Sequence, residues 1–159
     1  MEIRPATPAD HDALFAAFDQ IVASGDGFPQ APPLSRAEFD DYWITHASGV
    51  WMAWAEGSLA GAYYLKPNFV GRAAHIANAG YFVVPEHRGG GYGRALVEHS
   101  LVEAPRLGFD AMQFNLVFES NPARSMYHHL GFRQIGRIPD AVAGEDAVIY
   151  WRSLKAEAP

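Results

Sequence analysis

The first apolar residues of the chain recur at helical spacing. They lie three or four positions apart on one predicted helix face: Leu14, Phe15, Phe18, Ile21 and Val22. Thr7 and Pro8 are residue types favoured at the N-cap and the first position of a helix, and this helix is expected to run to about Ser24. Ser35 and Glu38 have the spacing of a capping box, which predicts the start of a second helix.

Apolar runs typical of strands dominate the rest of the chain. Strands are expected at residues 3–4, 50–55, 59–65, 75–84, 110–118, 132–138 and 147–154, and further helices after Arg94 and from Asn121 to Leu130. Glu56 and Gly57 predict a hairpin turn between the second and third strands. With 159 residues and no repeat or linker, the chain is predicted to form one α/β (α+β) domain over residues 1–159. Its mixed central β-sheet would have about seven strands, flanked by about four helices.

The composition excludes several classes of function. The absence of cysteine rules out disulfide bonds, thiolate metal sites and a cysteine nucleophile. A formal net charge of −6 has the wrong sign for a protein that follows a phosphate backbone, so no nucleic-acid partner is expected. The longest apolar stretches, such as residues 79–84, are far shorter than the roughly 20 residues of a membrane span. We therefore expect a soluble, cytoplasmic protein with no membrane partner.

A glycine-rich segment, Arg88-Gly89-Gly90-Gly91-Tyr92-Gly93-Arg94, lies between a predicted strand and a predicted helix. Glycine lets the backbone turn sharply and bring its N–H groups close to a ligand, and the helix that follows presents its positive end. These features suit a diphosphate, whose oxygens Arg88 and Arg94 are placed to bind. A flexible turn between strand and helix is the alternative interpretation.

Two other phosphate-binding loops fit this segment less well. A nicotinamide-cofactor fingerprint needs a third glycine where Arg94 stands. It also needs an acidic residue about 20 positions farther on, where this chain has Phe114 and Asn115. A Walker loop needs a Gly-Lys-Ser/Thr sequence, which the segment lacks.

The segment from Val83 to Leu96 resembles the acetyl-coenzyme A loop of the GNAT superfamily of N-acetyltransferases, whose pattern Arg/Gln-x-x-Gly-x-Gly/Ala is matched by Arg88, Gly91 and Gly93. The resemblance implies a GNAT-like domain whose sheet splays between the fourth and fifth strands, and acetyl-CoA as the acyl-donor cosubstrate. Pantetheine would pair with the backbone of residues 82–84 as a surrogate strand. The implied cofactor-binding residues are Phe82, Val83, Val84, Arg88, Gly89, Gly90, Gly91, Tyr92, Gly93, Arg94, Asn121 and Arg124.

A second signature of the family, Asn…Tyr-x-x-x-Gly-Phe, is similar to the stretch from Asn121 through Tyr127 to Gly131-Phe132. By this resemblance Tyr127 is the candidate that protonates the departing thiolate. The alternative is a helix tyrosine that only packs against the sheet.

Within the superfamily, residues 75–81 and 112–118 resemble a narrower group that includes fungal acetyltransferases acting on proline analogues such as azetidine-2-carboxylate. These stretches place Asn78 and Asn115 inside otherwise apolar strands. In the second stretch the even positions, such as Met112 and Phe114, are expected to share one buried face. A buried amide must find partners, so each asparagine is either satisfied internally or aimed at a ligand. The resemblance favours substrate binding, and we predict both as catalytic residues that hold a water or the acceptor's carboxylate.

The predicted reaction is direct attack of an amine on a thioester, without a covalent enzyme intermediate. A main-chain N–H near Val83 or Val84 would stabilise the developing oxyanion. Glu119 and His75 are ionisable alternatives for the general base, although solvation and a structural role are the simpler interpretations of each.

No metal site is expected, because the neighbouring residues His128 and His129 would point about 100° apart on a helix. The sequence therefore predicts an acetyl-CoA-dependent N-acetyltransferase whose acceptor is the amine of a small molecule or amino acid. The alternatives are a protein N-terminal or lysine acetyltransferase and a non-catalytic CoA-binding module. The resemblance also allows a homodimer formed by pairing at a sheet edge.

Overall fold

The computed structural model of the chain describes residues 1–156. Its strands are β1 (Glu2–Pro5), β2 (Gly49–Ala55), β3 (Ser58–Pro67), β4 (Ile76–Val83), β5 (Ala111–Phe118), β6 (Arg133–Val142) and β7 (Glu145–Ser153). Its helices are α1 (His11–Ser24), α2 (Arg36–Phe39), α3 (Tyr92–Arg106) and α4 (Arg124–His129). Short 3-10 turns lie at Pro8–Asp10, Gly71–Ala73 and Pro85–His87, and a π-helical turn at Asp40–Thr45.

The seven strands form one sheet in the order β1-β2-β3-β4-β5-β7-β6. It is mixed, because β4 and β5 run parallel whereas β1 with β2, β2 with β3, and β7 with both β5 and β6 pair antiparallel. The ladder between β4 and β5 runs over three residue pairs, from Ile76 with Ala111 to Asn78 with Gln113. This architecture confirms the predicted mixed sheet of seven strands with four helices. No helix within residues 1–156 has the length and apolar character needed to cross a membrane.

The chain divides into two compact units. The first comprises Met1–Lys66 and Gly80–Val97, and the second comprises Pro67–Ala79 and the chain from Glu98 onward. The core of the first unit contains the predicted apolar face of α1, of which Phe18 is 1% exposed. Aromatic rings continue that core, since the ring centroid of Trp43 lies 5.2 Å from that of Phe18 and 5.4 Å from that of Phe82. These contacts fix the end of β4.

The predicted capping box at the start of α2 is present. Glu38 N donates to Ser35 Oγ at 3.1 Å, and Ser35 N donates to the Glu38 carboxylate at 2.9 Å. The helix widens after Phe39 into the π-helical turn, which apolar spacing did not indicate.

The core of the second unit is built on β5. The ring of Phe114 lies 4.5 Å from that of Phe132 and 4.9 Å from that of Tyr127. The register of β5 against β7 shifts between Phe114 and Val117, which places an extra residue in β5. The predicted alternation along β5 is therefore wrong beyond Phe114, because the shift leaves both Val117 and Phe118 buried.

Two predicted boundaries in this unit differ by three residues or more. Helix α4 begins at Arg124 rather than Asn121, because the Asn121 side chain accepts a hydrogen bond from Ala123 N at 2.9 Å and caps the turn before the helix. Strand β6 extends to Val142 rather than ending at Ile138.

Candidate active site

In the first unit, the glycine-rich segment joins the turn at Pro85–His87 to the start of α3. Gly89 and Gly91 have φ angles of 80° and 81°, in the left-handed region that glycine adopts without strain. A Cβ added at either position would meet no heavy atom within 4 Å. Glycine is thus required there by the backbone conformation, and space remains beside the loop.

The loop leads directly into the N-terminus of α3, a helix of 15 residues. Ala95 N donates to Gly91 O at 3.1 Å, which makes Gly91 the N-cap residue. The amides of Tyr92 and Gly93 belong to the first turn, where N–H groups have no intrahelical acceptor. A loop of this shape in front of a helix fits a diphosphate group.

Arg88 has partners within the first unit. Its Nη2 atom lies 3.0 Å from the carboxylate of Asp26, and its Nε donates to Val83 O at 3.4 Å. About half of each side chain in the ion pair is exposed, 47% for Arg88 and 51% for Asp26. Sequence reasoning missed Asp26, although its position between Gly25 and Gly27 marks an exposed acidic turn.

At the end of β4, the backbone N–H groups of Val83 and Val84 are the two candidate oxyanion donors, and they differ in their hydrogen bonding. Val84 N already donates to Ala60 O at 2.9 Å. The Val84 amide is therefore not available to stabilise an oxyanion, which corrects that expectation. Because N–H groups alternate between the two edges of a strand, the Val83 amide points to the opposite edge and remains the candidate. Gly61 allows β3 to approach here, since a Cβ at that position would lie 2.5 Å from Phe82 O.

In the second unit, Asn78 and Asn115 have different surroundings. Asn78 is 9% exposed, and its Nδ2 donates to Gln113 O at 3.1 Å. Asn115 is exposed, because it lies at the register shift in β5, which corrects the prediction of a second buried amide. Its Oδ1 accepts from Asn68 Nδ2 at 3.1 Å and from Gln113 Nε2 at 3.0 Å. Sequence reasoning did not include Asn68 or Gln113 among the candidate site residues.

Tyr127 is buried on α4, 7% exposed, with its ring against Phe114 and Phe132. Burial, together with the nearby Tyr150 hydroxyl, raises the pKa of Tyr127 to about 12. Across residues 1–156 no side chain or backbone group hydrogen-bonds to its hydroxyl. The phenol therefore stays protonated at neutral pH and can donate its proton.

Arg124 and His128 both bond to one buried hydroxyl. Tyr150 Oη accepts from Arg124 Nε at 3.0 Å and lies 3.1 Å from His128 Nε2. Arg124 Nη1 also donates to Glu119 O at 3.0 Å. His129 instead places Nδ1 2.7 Å from Ser125 O, so the two adjacent histidines have separate partners.

The structure assigns neither alternative general base. The Glu119 carboxylate lies 2.8 Å from Arg137 Nη1, and both side chains are a little less than half exposed. His75 is exposed, with Nε2 3.8 Å from the Asp110 carboxylate. In the described part of the chain, no three histidine, aspartate or glutamate side chains cluster as metal ligands would.

Comparison with known proteins agrees with this geometry. A model of the acetyltransferase (GNAT) family matches residues 15–132. The chain is 42% identical over 112 residues to N-acetyltransferase aca1 of Schizosaccharomyces pombe, an alignment that covers 70% of this chain and 47% of that protein. The chain thus spans about half the length of this relative.

Solved structures share the fold. A GCN5-related N-acetyltransferase from Kribbella flavida superposes with a TM-score of 0.87, at 32% identity over 96% of both chains. A phosphinothricin acetyltransferase from Sinorhizobium meliloti, in complex with AcCoA, has a TM-score of 0.84 at 23% identity over 96% of this chain and 87% of that one, a likeness of fold. The chain therefore belongs to the acetyltransferase (GNAT) family of N-acetyltransferases, which use acetyl-CoA as acyl donor.

Proposed function

We propose that this chain transfers the acetyl group of acetyl-CoA to the amine of a small molecule or amino acid, and that residues 1–159 form one N-acetyltransferase domain. The observation that carries the proposal is the open left-handed loop at Gly89 and Gly91 in front of α3. The single domain is supported by the family match over residues 15–132, which includes parts of both units. A small acceptor is favoured by the structural relative named for phosphinothricin.

The donor would bind first through main-chain groups. The amides of Gly89 to Gly93 and the first turn of α3 face the diphosphate, with Arg88 and Arg94 pairing to its oxygens. Arg88 must then exchange the Asp26 carboxylate for phosphate. The backbone of residues 82–84 pairs with pantetheine. Asn121 and Arg124 complete the proposed set of donor-binding residues.

In the reaction, the lone pair of the acceptor amine forms the new N–C bond at the thioester carbonyl, and the C–S bond breaks. The Val83 N–H stabilises the charge on the carbonyl oxygen, a type of contact worth about 10²–10³ in rate. Tyr127 gives its proton to the departing sulfur and is reprotonated from solvent. The amine loses its proton to a water held by Asn78 and Asn115.

Two measurements test this proposal. Titration calorimetry with acetyl-CoA should give saturable heat, and its absence at millimolar ligand contradicts donor binding. Release of free thiol is then followed with small amines, free amino acids, a peptide with an unblocked N-terminus and a peptide with an internal lysine. Turnover on the small acceptors supports the proposal. Turnover on the peptides alone favours a protein acetyltransferase, and binding without any turnover favours a CoA-binding module.

A further inference from the structure

Lys66, near the end of β3, is a partly buried cation surrounded by aromatic rings. Its Nζ lies 4.2 Å from the ring centroid of Tyr42 and 4.5 Å from that of Tyr64. Its hydrogen bond goes to the main-chain oxygen of Tyr42 at 3.5 Å. Within residues 1–156 no carboxylate lies within 4.0 Å of this ammonium, and the nearby Asp41 carboxylate has His46 as its partner at 3.3 Å.

The hydroxyl groups of the two tyrosines beside Lys66 are joined by a hydrogen bond. Tyr64 Oη donates to Tyr42 Oη at 3.0 Å. The Gln30 side chain also bonds to the Tyr42 hydroxyl. The buried Gln30 Oε1 has no partner among the described residues, so the amide NH₂ is the group that donates to Tyr42. Because the Tyr42 oxygen accepts both bonds, its single proton is left to donate to a further acceptor.

The same cluster packs on β4 within the first unit. A Cβ at Gly80 would lie 2.6 Å from the Tyr64 ring, so glycine at this position makes room for the tyrosine. Gly80 precedes Val83 by three residues, or about 10 Å along a strand. The cluster therefore packs against the strand whose end is proposed to hold the thioester.

Electrostatics favours an anion beside Lys66. Burial lowers the pKa of Lys66, which means that the charged form is incompletely solvated. A carboxylate next to such an ammonium restores the lost solvation, and a charge-assisted hydrogen bond is stronger here than at an exposed site. The chain's other lysine, Lys155, is 72% exposed and lies 3.8 Å from the Asp110 carboxylate.

We propose that Lys66 and the Tyr42 hydroxyl form a carboxylate-binding subsite for the acceptor, so that the preferred acceptor is an amino acid or another amine with an anionic group. This inference rests on the proposed function, because it names the acceptor class of the same transferase. The ammonium pairs with one carboxylate oxygen, and the Tyr42 proton is donated to the same group.

The direct test observes the lysine itself. The chain has two lysines, so isotope-labelled lysine gives two side-chain NMR signals, which Lys155→Met assigns. The protein, with desulfo-CoA bound, is titrated with glycine, β-alanine and 4-aminobutanoate, and with the amide of each. A carboxylate should shift the Lys66 signal at millimolar concentration and raise the pKa of Lys66, while the amides and the Lys155 signal serve as controls. An unmoved Lys66 signal with all three carboxylates overturns the subsite.

Binding of CoA alone distinguishes the other source of an anion. If CoA moves the Lys66 signal and the carboxylates do not, the site binds a phosphate of the donor and the proposal is wrong. Movement with the carboxylates while thiol release is absent on every acceptor supports the subsite and counts against the proposed function instead.

Kinetics gives a second, matched comparison. Lys66→Met should raise the acceptor KM for the amino acid about tenfold or more, leave the KM for its amide unchanged and leave the acetyl-CoA KM unchanged. Lys66→Arg should restore part of the loss, and Lys155→Met should cause none. Equal effects of Lys66→Met on the amino acid and its amide overturn the proposal. Circular dichroism of each variant checks that it is folded.

Discussion

The Asp26 carboxylate accepts a hydrogen bond from Arg88 Nη2 at 3.0 Å, which ties the first residue of the glycine-rich segment to the turn after α1. Both side chains are about half exposed. An ion pair of this kind contributes roughly 0–1 kcal/mol to stability. The pair can therefore open at little cost, and phosphate and Asp26 would compete for one guanidinium.

Asp26→Asn tests this competition. Removal of the competing charge should tighten acetyl-CoA binding about two- to fivefold, which corresponds to less than 1 kcal/mol, and should hardly alter the unfolding free energy. Titration calorimetry at low and high salt measures the change, which should shrink as salt screens the charges. Asp12→Asn is the matched control, because it breaks an exposed pair with Arg36 at 2.8 Å. Weaker donor binding in Asp26→Asn contradicts the proposed role of Arg88.

Gly91→Asp should abolish most donor binding. The variant places a negative charge beside the diphosphate and forces a non-glycine residue to a φ of 81°. Gly144→Asp is the control, since Gly144 has a φ of 82° and equal space for a Cβ in the turn between β6 and β7. Both variants should lose about 1–2 kcal/mol of unfolding free energy. Only Gly91→Asp should lose affinity for acetyl-CoA, and equal affinity of the two variants means that the loop is misassigned.

Local sequence patterns predicted the features that local chemistry determines. The apolar face of α1 and the capping box at Ser35 depend on residues within a few positions of one another, and both are present. The glycine-rich turn before α3 follows from the same kind of short-range preference. The number of strands could be predicted because apolar runs and turn residues alternate along the chain.

Features that depend on distant residues could not be predicted in this way. Asn115 is exposed because the pairing of β5 with β7 shifts beside it, and the alternation of β5 alone carries no sign of that shift. Arg88 has its carboxylate partner 62 positions away. The pKa of Tyr127 depends on its burial and then on Tyr150, which lies on a different strand of the fold. Such partners are set by tertiary structure.

Tyr127→Phe should lower kcat by about 10²-fold and leave the acetyl-CoA KM unchanged, because it removes a proton donor but keeps the buried ring. Its stability should remain near that of the wild type, since the lost hydroxyl has no hydrogen-bond partner in residues 1–156. Tyr150→Phe is the contrast, because its hydroxyl bonds to Arg124 and His128 and its loss should cost about 1–2 kcal/mol. Steady-state kinetics and urea unfolding measure the two effects. An unchanged kcat removes the acid role.

The pH dependence of kcat/KM should reflect the ionisation of the acceptor amine and not that of Tyr127. With its pKa raised to about 12, the tyrosine stays protonated and available as an acid throughout the usual assay range. With amino-acid amides as acceptors, which have no carboxylate for Lys66 to bind, the value of kcat/KM should therefore rise with pH as the amine loses its proton, and then level off without an alkaline fall below about pH 11. Two acceptors whose amines have different pKa values should give midpoints that differ in the same sense. If the midpoint is the same for both acceptors, an ionising base on the protein determines the pH dependence.

Asn78→Ala and Asn115→Ala should separate stability from acceptor binding. Asn78 is buried and donates to Gln113 O, so its loss leaves a partly buried carbonyl without this donor and should cost about 1–3 kcal/mol. Asn115 is exposed, and its loss should cost less than about 0.5 kcal/mol. If both amides hold the acceptor or its water, both variants should raise the acceptor KM about tenfold or lower kcat, with the acetyl-CoA KM unchanged.

Two further variants make this comparison decisive. Gln20→Ala removes an exposed amide within α1 and should change neither the unfolding free energy nor the acceptor kinetics. Asn68→Ala leaves Asn115 in place but removes one of the two donors to its Oδ1 and the acceptor of its Nδ2, so it should raise the acceptor KM less than Asn115→Ala does. Normal kinetics in Asn115→Ala would show that this exposed amide only joins β5 to Asn68. Normal kinetics in Asn78→Ala, at a temperature where it is folded, would assign Asn78 to the core alone, because a group that holds the water that accepts the amine proton cannot be removed without cost to the rate.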